Sequence, residues 1–183
     1  MGLTLITPAT ALPVSLADCK AICGIEDASF DARLELLRGG AHDMVAELLG
    51  CPLGESGWRL TLDQFSDAIE LARGPVTAVT AFEYVDPDGN TQDVAPAAYL
   101  TDLVSDPQWI VRASDASWPE TLDAVNVVTV SFTAGYTAAT LPAGLKMALL
   151  GLVQHWFENG PAAGVPAAVM NALAPWRKLW ICA

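Results

Sequence analysis

Apolar residues recur at helical spacing in two stretches of this sequence and alternate at strand spacing between them. That change of period constrains the fold more than any single motif does. The first helical stretch, about 29–49, carries Phe30, Leu34, Leu37, Ala41, Val45, Leu48 and Leu49 on one stripe. The second carries Leu145, Ala148, Leu149, Leu152, Trp156 and Phe157. Between them Trp58, Leu60 and Leu62 alternate with Arg59, Thr61 and Asp63. Further strand-like runs follow at Ile69 and Leu71, 76–85, 109–112 and 125–133. Asp86-Pro87-Asp88-Gly89-Asn90 predicts a hairpin turn, with Pro fixing φ and Gly supplying φ > 0.

Punctuation residues agree with the periods. Ser15 predicts the cap of a short helix running through about Cys23, with Asp18 in the capping-box position and Gly24 as the stop. Asp27 or Ser29 starts the second helix, and Gly50, Cys51 and Pro52 end it. Gly39-Gly40 interrupts that helix at about 1 kcal/mol per glycine relative to Ala, which predicts close approach by another backbone. Pro142 suits a first helical turn, Asn159-Gly160-Pro161 is a stop, and Pro166 opens a last short helix through about Leu173.

These elements predict an α+β fold: a mostly helical bundle from the N- and C-terminal segments with a β-rich antiparallel insert. A chain of 183 residues fits one domain. Its expected parts are an extended arm (1–14, with Leu3, Leu5 and Ile6 ahead of Pro8 and Pro13), a helical part (15–57), the insert (58–136), a second helical part (141–174) and a C-terminal tail (175–183).

Composition limits the function. Hydrophobic residues make up 52% and charged residues 16%, which excludes a disordered chain and predicts apolar surface shared with other subunits. No apolar run approaches the ~20 residues that span a bilayer. Twenty-one acids against nine bases give a net charge of −12. A chain that grips duplex DNA needs roughly 6–10 cationic phosphate contacts, and the bases here are scattered. Tight nucleic-acid binding and attraction to an anionic membrane are therefore not expected. Residues 1–13 lack the basic start and apolar run of an export signal. Cys19, Cys23, Cys51 and Cys182 are expected to be free thiols, because no second CxxC or His pair completes a zinc site.

No catalytic, metal-binding or cofactor-binding residue is assigned. His42 and His155 sit in no nucleophile motif and are expected to be structural. Asp86-x-Asp88-Gly89 has Gly at the fourth position, not the sixth of a calcium loop, and predicts a plain turn. Asp63 and Asp67 have the residue types of a glycosidase pair, but spacing alone gives them no geometry. The tail carries more information. After Glu158 the chain has no acid, and its charged side chains are Arg177 and Lys178, set among Trp176, Leu179, Trp180 and Ile181. Trp and Arg dominate interface energies. These six residues are the candidate interface, and the competing role is packing back onto their own domain.

The order of these features resembles the head–tail connector (adaptor) proteins of long-tailed bacteriophages, a family that includes gene transfer agent adaptors. Leu12-Pro13-Val14-Ser15-Leu16-Ala17-Asp18-Cys19-Lys20 resembles the family's opening helix. Ile25-Glu26-Asp27 before the second helix resembles its acidic turn. Gly74-Pro75-Val76-Thr77-Ala78-Val79 and Tyr84-Val85-Asp86-Pro87-Asp88-Gly89 resemble its central hairpin. Val128-Thr129-Val130-Ser131-Phe132-Thr133-Ala134-Gly135-Tyr136 resembles its late strand and Gly-Tyr corner. Leu141-Pro142-Ala143-Gly144-Leu145-Lys146, Val165-Pro166-Ala167-Ala168-Val169 and Pro175-Trp176-Arg177 resemble its closing helices and their end. The glycine pair and the Trp-rich ending after Arg177 depart from the family pattern.

The resemblance implies a structural protein of the particle's head–tail junction, made in a bacterial cytoplasm. It implies a ring of about twelve subunits beneath the portal, closed by heterologous contacts. Its partners would be copies of itself, the portal, and a tail-side stopper or terminator, with DNA passing through the channel without tight binding. The resemblance implies no enzyme and no cofactor. The alternative left by composition alone is an acidic cytosolic regulatory or protein-binding module.

Overall fold

Ser15 caps the first helix, as its spacing predicts. Its hydroxyl oxygen accepts from the Asp18 backbone N–H at 3.1 Å, and the Asp18 carboxylate accepts from the Ser15 backbone N–H at 3.1 Å. The computed structural model describes residues 2–177, and in it this helix, α1, spans Leu16–Cys23. Gly24 ends it at φ 68°, a left-handed position that suits glycine. Three more helices follow among the described residues: α2 over Asp31–Leu49, α3 over Ala143–Asn159 and α4 over Ala167–Leu173.

All four helices lie in one of two compact units, Ala11–Gly54 with Tyr136–Ala183. Leu34, Leu37, Ala41, Val45 and Leu49 of α2 share a buried cluster with Leu145, Leu149, Leu152, Val153 and Trp156 of α3. The two stripes read from the sequence thus meet each other. Phe30 meets Phe157 edge-on at 5.5 Å, and the Arg33 guanidinium lies 4.7 Å from the same ring centre. The glycine pair differs from expectation. A Cβ on Gly39 would meet nothing within 4 Å, and one on Gly40 would meet Cζ3 of Trp156 at 3.5 Å. No backbone presses on either position.

The other unit, Met1–Thr10 with Glu55–Gly135, is built from strands. They are β1 (Gly2–Thr7), β2 (Ser56–Leu62), β3 (Ala68–Leu71), β4 (Val76–Val85), β5 (Thr91–Asp93), β6 (Tyr99–Asp102), β7 (Gln108–Arg112) and β8 (Val128–Ala134). Five form a sheet in the order β1-β2-β8-β4-β5 and three form a second in the order β3-β7-β6, with every pairing antiparallel. β8 is the clearest strand: Val128, Val130, Phe132 and Ala134 are buried, and Thr129, Ser131 and Thr133 point to the other face. Leu60 and Phe82 both lie opposite Val130. Ile69, Leu71 and Ile110 of the smaller sheet join the same core. Phe65 stacks on Trp118 at 4.7 Å and meets Phe82 edge-on at 5.8 Å, sealing one side of it.

This architecture corrects the expected mostly helical bundle. The chain is a sheet-rich α+β fold with two antiparallel sheets. The expectation failed for a physical reason. Apolar alternation marks strands with one buried face, but β5 is wholly exposed and β6 largely so. β1, expected within an extended arm, buries little surface and is held by its backbone ladder to β2.

Candidate interaction site

The six tail residues divide at the limit of the described structure. α4 buries Val169 and Leu173 in the helical core, and a 3-10 turn over Ala174–Trp176 carries the chain onward. Trp176 remains 36% exposed. Its indole lies against the first turn of α3: a Cβ on Gly144 would stand 3.5 Å from Nε1 and 3.7 Å from Cζ2. Met147, one turn further along α3, is 62% exposed. Arg177 is exposed, and its backbone N–H donates to the Ala174 carbonyl at 3.4 Å. Lys178, Leu179, Trp180 and Ile181 lie outside the described residues. Trp176 thus sits over Gly144, and Met147 and Arg177 are exposed as well.

Asp63, Asp67, Asp86, His42 and His155 each have a side-chain or backbone partner. The Asp86 carboxylate accepts from Gln92 Nε2 at 3.0 Å and from the backbone N–H groups of Asn90 and Asp88 at 2.8 and 3.0 Å. These bonds, the Gln92 one foremost, hold it below the usual carboxylate range. That carboxylate closes its own hairpin. Asp67 pairs with Arg112 Nε at 2.7 Å, and Asp63 accepts from the Asn126 backbone N–H at 2.9 Å. His42 Nδ1 lies 3.1 Å from Asp43 Oδ1, and His155 Nδ1 lies 3.3 Å from Asn159 Nδ2. Burial pushes the Cys19 thiol up to about 11 and raises that of Cys23, which makes both poor nucleophiles near neutral pH. Among the described residues no three His, Cys, Asp or Glu side chains stand together as a metal site. No helix among them is long and apolar enough to cross a membrane.

Two features escaped the sequence argument. The first is the distribution of charge. The sheet unit holds thirteen acids and three bases, a net −10, and the helical unit holds eight acids and six bases, a net −2. Only the assignment of residues to units reveals this. The second is the edge of the larger sheet. Leu5 and Ile6 of β1 are 46% and 45% exposed. Beside them an open groove of about 330 Å³ runs over Ile6, Thr7, Pro8, Trp58, Thr80 and Thr133, with Glu55 its one ionisable lining group. The uncharged alternation of Leu3 and Leu5 was the available signal for a strand there. The groove is walled by apolar side chains and by the hydroxyls of Ser and Thr.

A scan against protein-family models and a search of curated proteins give no match. Solved structures do match, each over 99% of this chain and 97% of the other. One is a chain of the neck of an empty gene transfer agent (GTA) particle computed with C6 symmetry, with TM-score 0.75 and 24% identity, a likeness of fold. A second belongs to the virion of a native gene transfer agent particle, with TM-score 0.76 and 25% identity. A third belongs to the neck of a native GTA particle computed with C12 symmetry, with TM-score 0.72 and 26% identity. Over nearly its whole length, this chain is similar to structural components of gene transfer agent particles, the neck among them.

Proposed function

We propose that this chain is a structural subunit of a phage-like particle, a head–tail adaptor that forms a ring beneath the portal, extends the DNA channel and attaches the tail. The end-to-end likeness to chains of a gene transfer agent virion and neck carries this reading. Twelvefold symmetry in one of those necks supports a ring of about twelve copies. The net charge of −12 fits a wall that duplex DNA must slide past, since like charge keeps phosphates from sticking. Trp176, Arg177, Lys178, Leu179, Trp180 and Ile181 are the proposed contact with the portal or a neighbouring subunit, and the partial exposure of Trp176 supports that role for the start of the segment.

Co-expression with the portal of the same particle tests the proposal. Expected results are co-purification and rings seen by electron microscopy on the portal. Absence from assembled particles, together with failure to bind the portal, would overturn it. A chain truncated before Lys178 should fold with an unchanged unfolding midpoint and lose portal attachment. If the truncated chain fails to fold, the tail packs on its own domain and the interface assignment is wrong.

A further inference from the structure

We propose that neighbouring copies join edge to edge through the larger sheet, β1 of one copy hydrogen-bonding along residues 77–81 of β4 in the next. This rests on the ring reading above and names the surface that closes the ring. A heterologous ring contact needs two different surfaces on one chain, and a sheet has two edges. β1 is one edge, paired among the described residues with β2 alone. At the other edge β5 covers β4 only at Glu83–Val85, and the pairing extends one bond further, from the Val94 N–H to the Phe82 carbonyl at 2.8 Å. At the start of β4, the Gln108 side-chain amide accepts from the Val76 N–H at 2.7 Å and donates to the Val76 carbonyl at 3.1 Å, as a paired strand would. Between those points no described strand lies on that side of β4, and Thr77, Ala78 and Thr80 are exposed.

Strand direction and charge both suit the match. β1 is antiparallel to β2, β2 to β8 and β8 to β4, so β1 runs opposite to β4. A twelvefold axis turns each copy by about 30° from the last, too small a rotation to reverse the direction of a strand. The β1 of the next copy therefore arrives antiparallel to β4, and the alternation continues across the boundary. Neither Gly2–Thr7 nor residues 76–81 contains a charged side chain, although the unit that carries them has a net charge of −10. Two such units repel least where both contact strands are neutral. Both strands are irregular, β1 between Leu5 and Thr7 and β4 between Val76 and Ala78 and again between Val79 and Ala81. Bulges of this kind restrict pairing to a short ladder. Leu5 and Ile6 gain cover from the added strand.

The test uses the full chain assembled on its portal. Thr4→Cys combined with Ala78→Cys, and Thr4→Cys combined with Thr80→Cys, sample two registers. On mild oxidation at least one pair should give a covalent ladder extending beyond dimers on a non-reducing gel, absent from the parent chain and from the single variants. Leu5→Lys, at a half-exposed position, should keep the parent's unfolding midpoint and lower ring yield at least tenfold. Rings without a ladder from either pair, together with normal assembly of Leu5→Lys, would overturn the edge contact and leave the adaptor reading standing. A dimer from Thr4→Cys in a chain that also carries Cys23→Ser and Cys182→Ser would mean that β1 pairs with itself, which also overturns it. Absence of rings altogether would overturn both.

Discussion

At the scale of single residues, Asp18 ties three parts of the helical unit together. Its carboxylate closes the α1 capping box and meets Lys146 Nζ of α3 at 2.9 Å. The Lys146 hydrogen bond foremost, then those from Ser15, hold its pKa at about 2 instead of 3.8. A depressed carboxylate stabilises the fold fully above its unfolded value and loses that contribution as pH falls through its folded value. Urea unfolding between about pH 6 and pH 2 should show wild-type stability falling with acid through this window, and Asp18→Asn should fall less steeply. The side chain is 32% exposed, so at pH 7 the substitution should cost about 0.5–1 kcal/mol, the size of a partly exposed ion pair. Gln108 is the corresponding case in the sheet unit. Its amide satisfies Val76 and also donates to the Leu103 carbonyl at 2.9 Å, and the residue is buried. Gln108→Leu leaves the Val76 backbone groups without their partner and should cost roughly 1–3 kcal/mol by denaturant titration. A neutral result would mean that water reaches the start of β4.

At the scale of elements, α2 carries the next prediction. Gly39 and Gly40 lie inside a continuous helix with space for a methyl group at each. Gly39→Ala should raise the unfolding free energy by about 0.5–1 kcal/mol, and Gly40→Ala should do so with its methyl resting on Trp156. A loss at Gly40 would mean that the methyl group is not accommodated beside Trp156. The same helix shows why sequence served well for some elements. Its stripe from Leu34 to Leu49 meets the α3 stripe in one buried cluster, so period and packing carry the same information. Ser15 and Gly24 were legible because capping is local chemistry. β8 was legible because one face is buried along its whole length. β1, β5 and β6 were not, since backbone pairing with distant strands holds them and no local period records a partner. The candidate interface was legible in part. Trp176 and Arg177 stood out by composition, but the seat of Trp176 against Gly144 is a long-range contact.

At the scale of the whole molecule, the charge is the property that acts at a distance. Most of the −12 lies in the sheet unit, at −10. Copies brought together in a ring must overcome that repulsion, and the contact proposed between uncharged strands contributes no ion pairs to offset it. Salt therefore separates two kinds of interface. Screening shortens from about 30 Å at 0.01 M to about 3 Å at 1 M. A contact between neutral strands of like-charged units should strengthen as salt rises, and one held by ion pairs should weaken. Mass photometry of the chain bound to its portal should show more copies retained at about 0.5 M than at about 0.05 M sodium chloride. Over the same range, fluorescence anisotropy with a short duplex should show no binding by the isolated chain, because the electrostatic term that drives nonspecific DNA binding is repulsive here. Arg177→Gln with Lys178→Gln removes the salt-sensitive cations proposed for the portal contact, and copies that this variant loses on adding salt would place charged residues in the subunit contact and remove the neutral edge from that role.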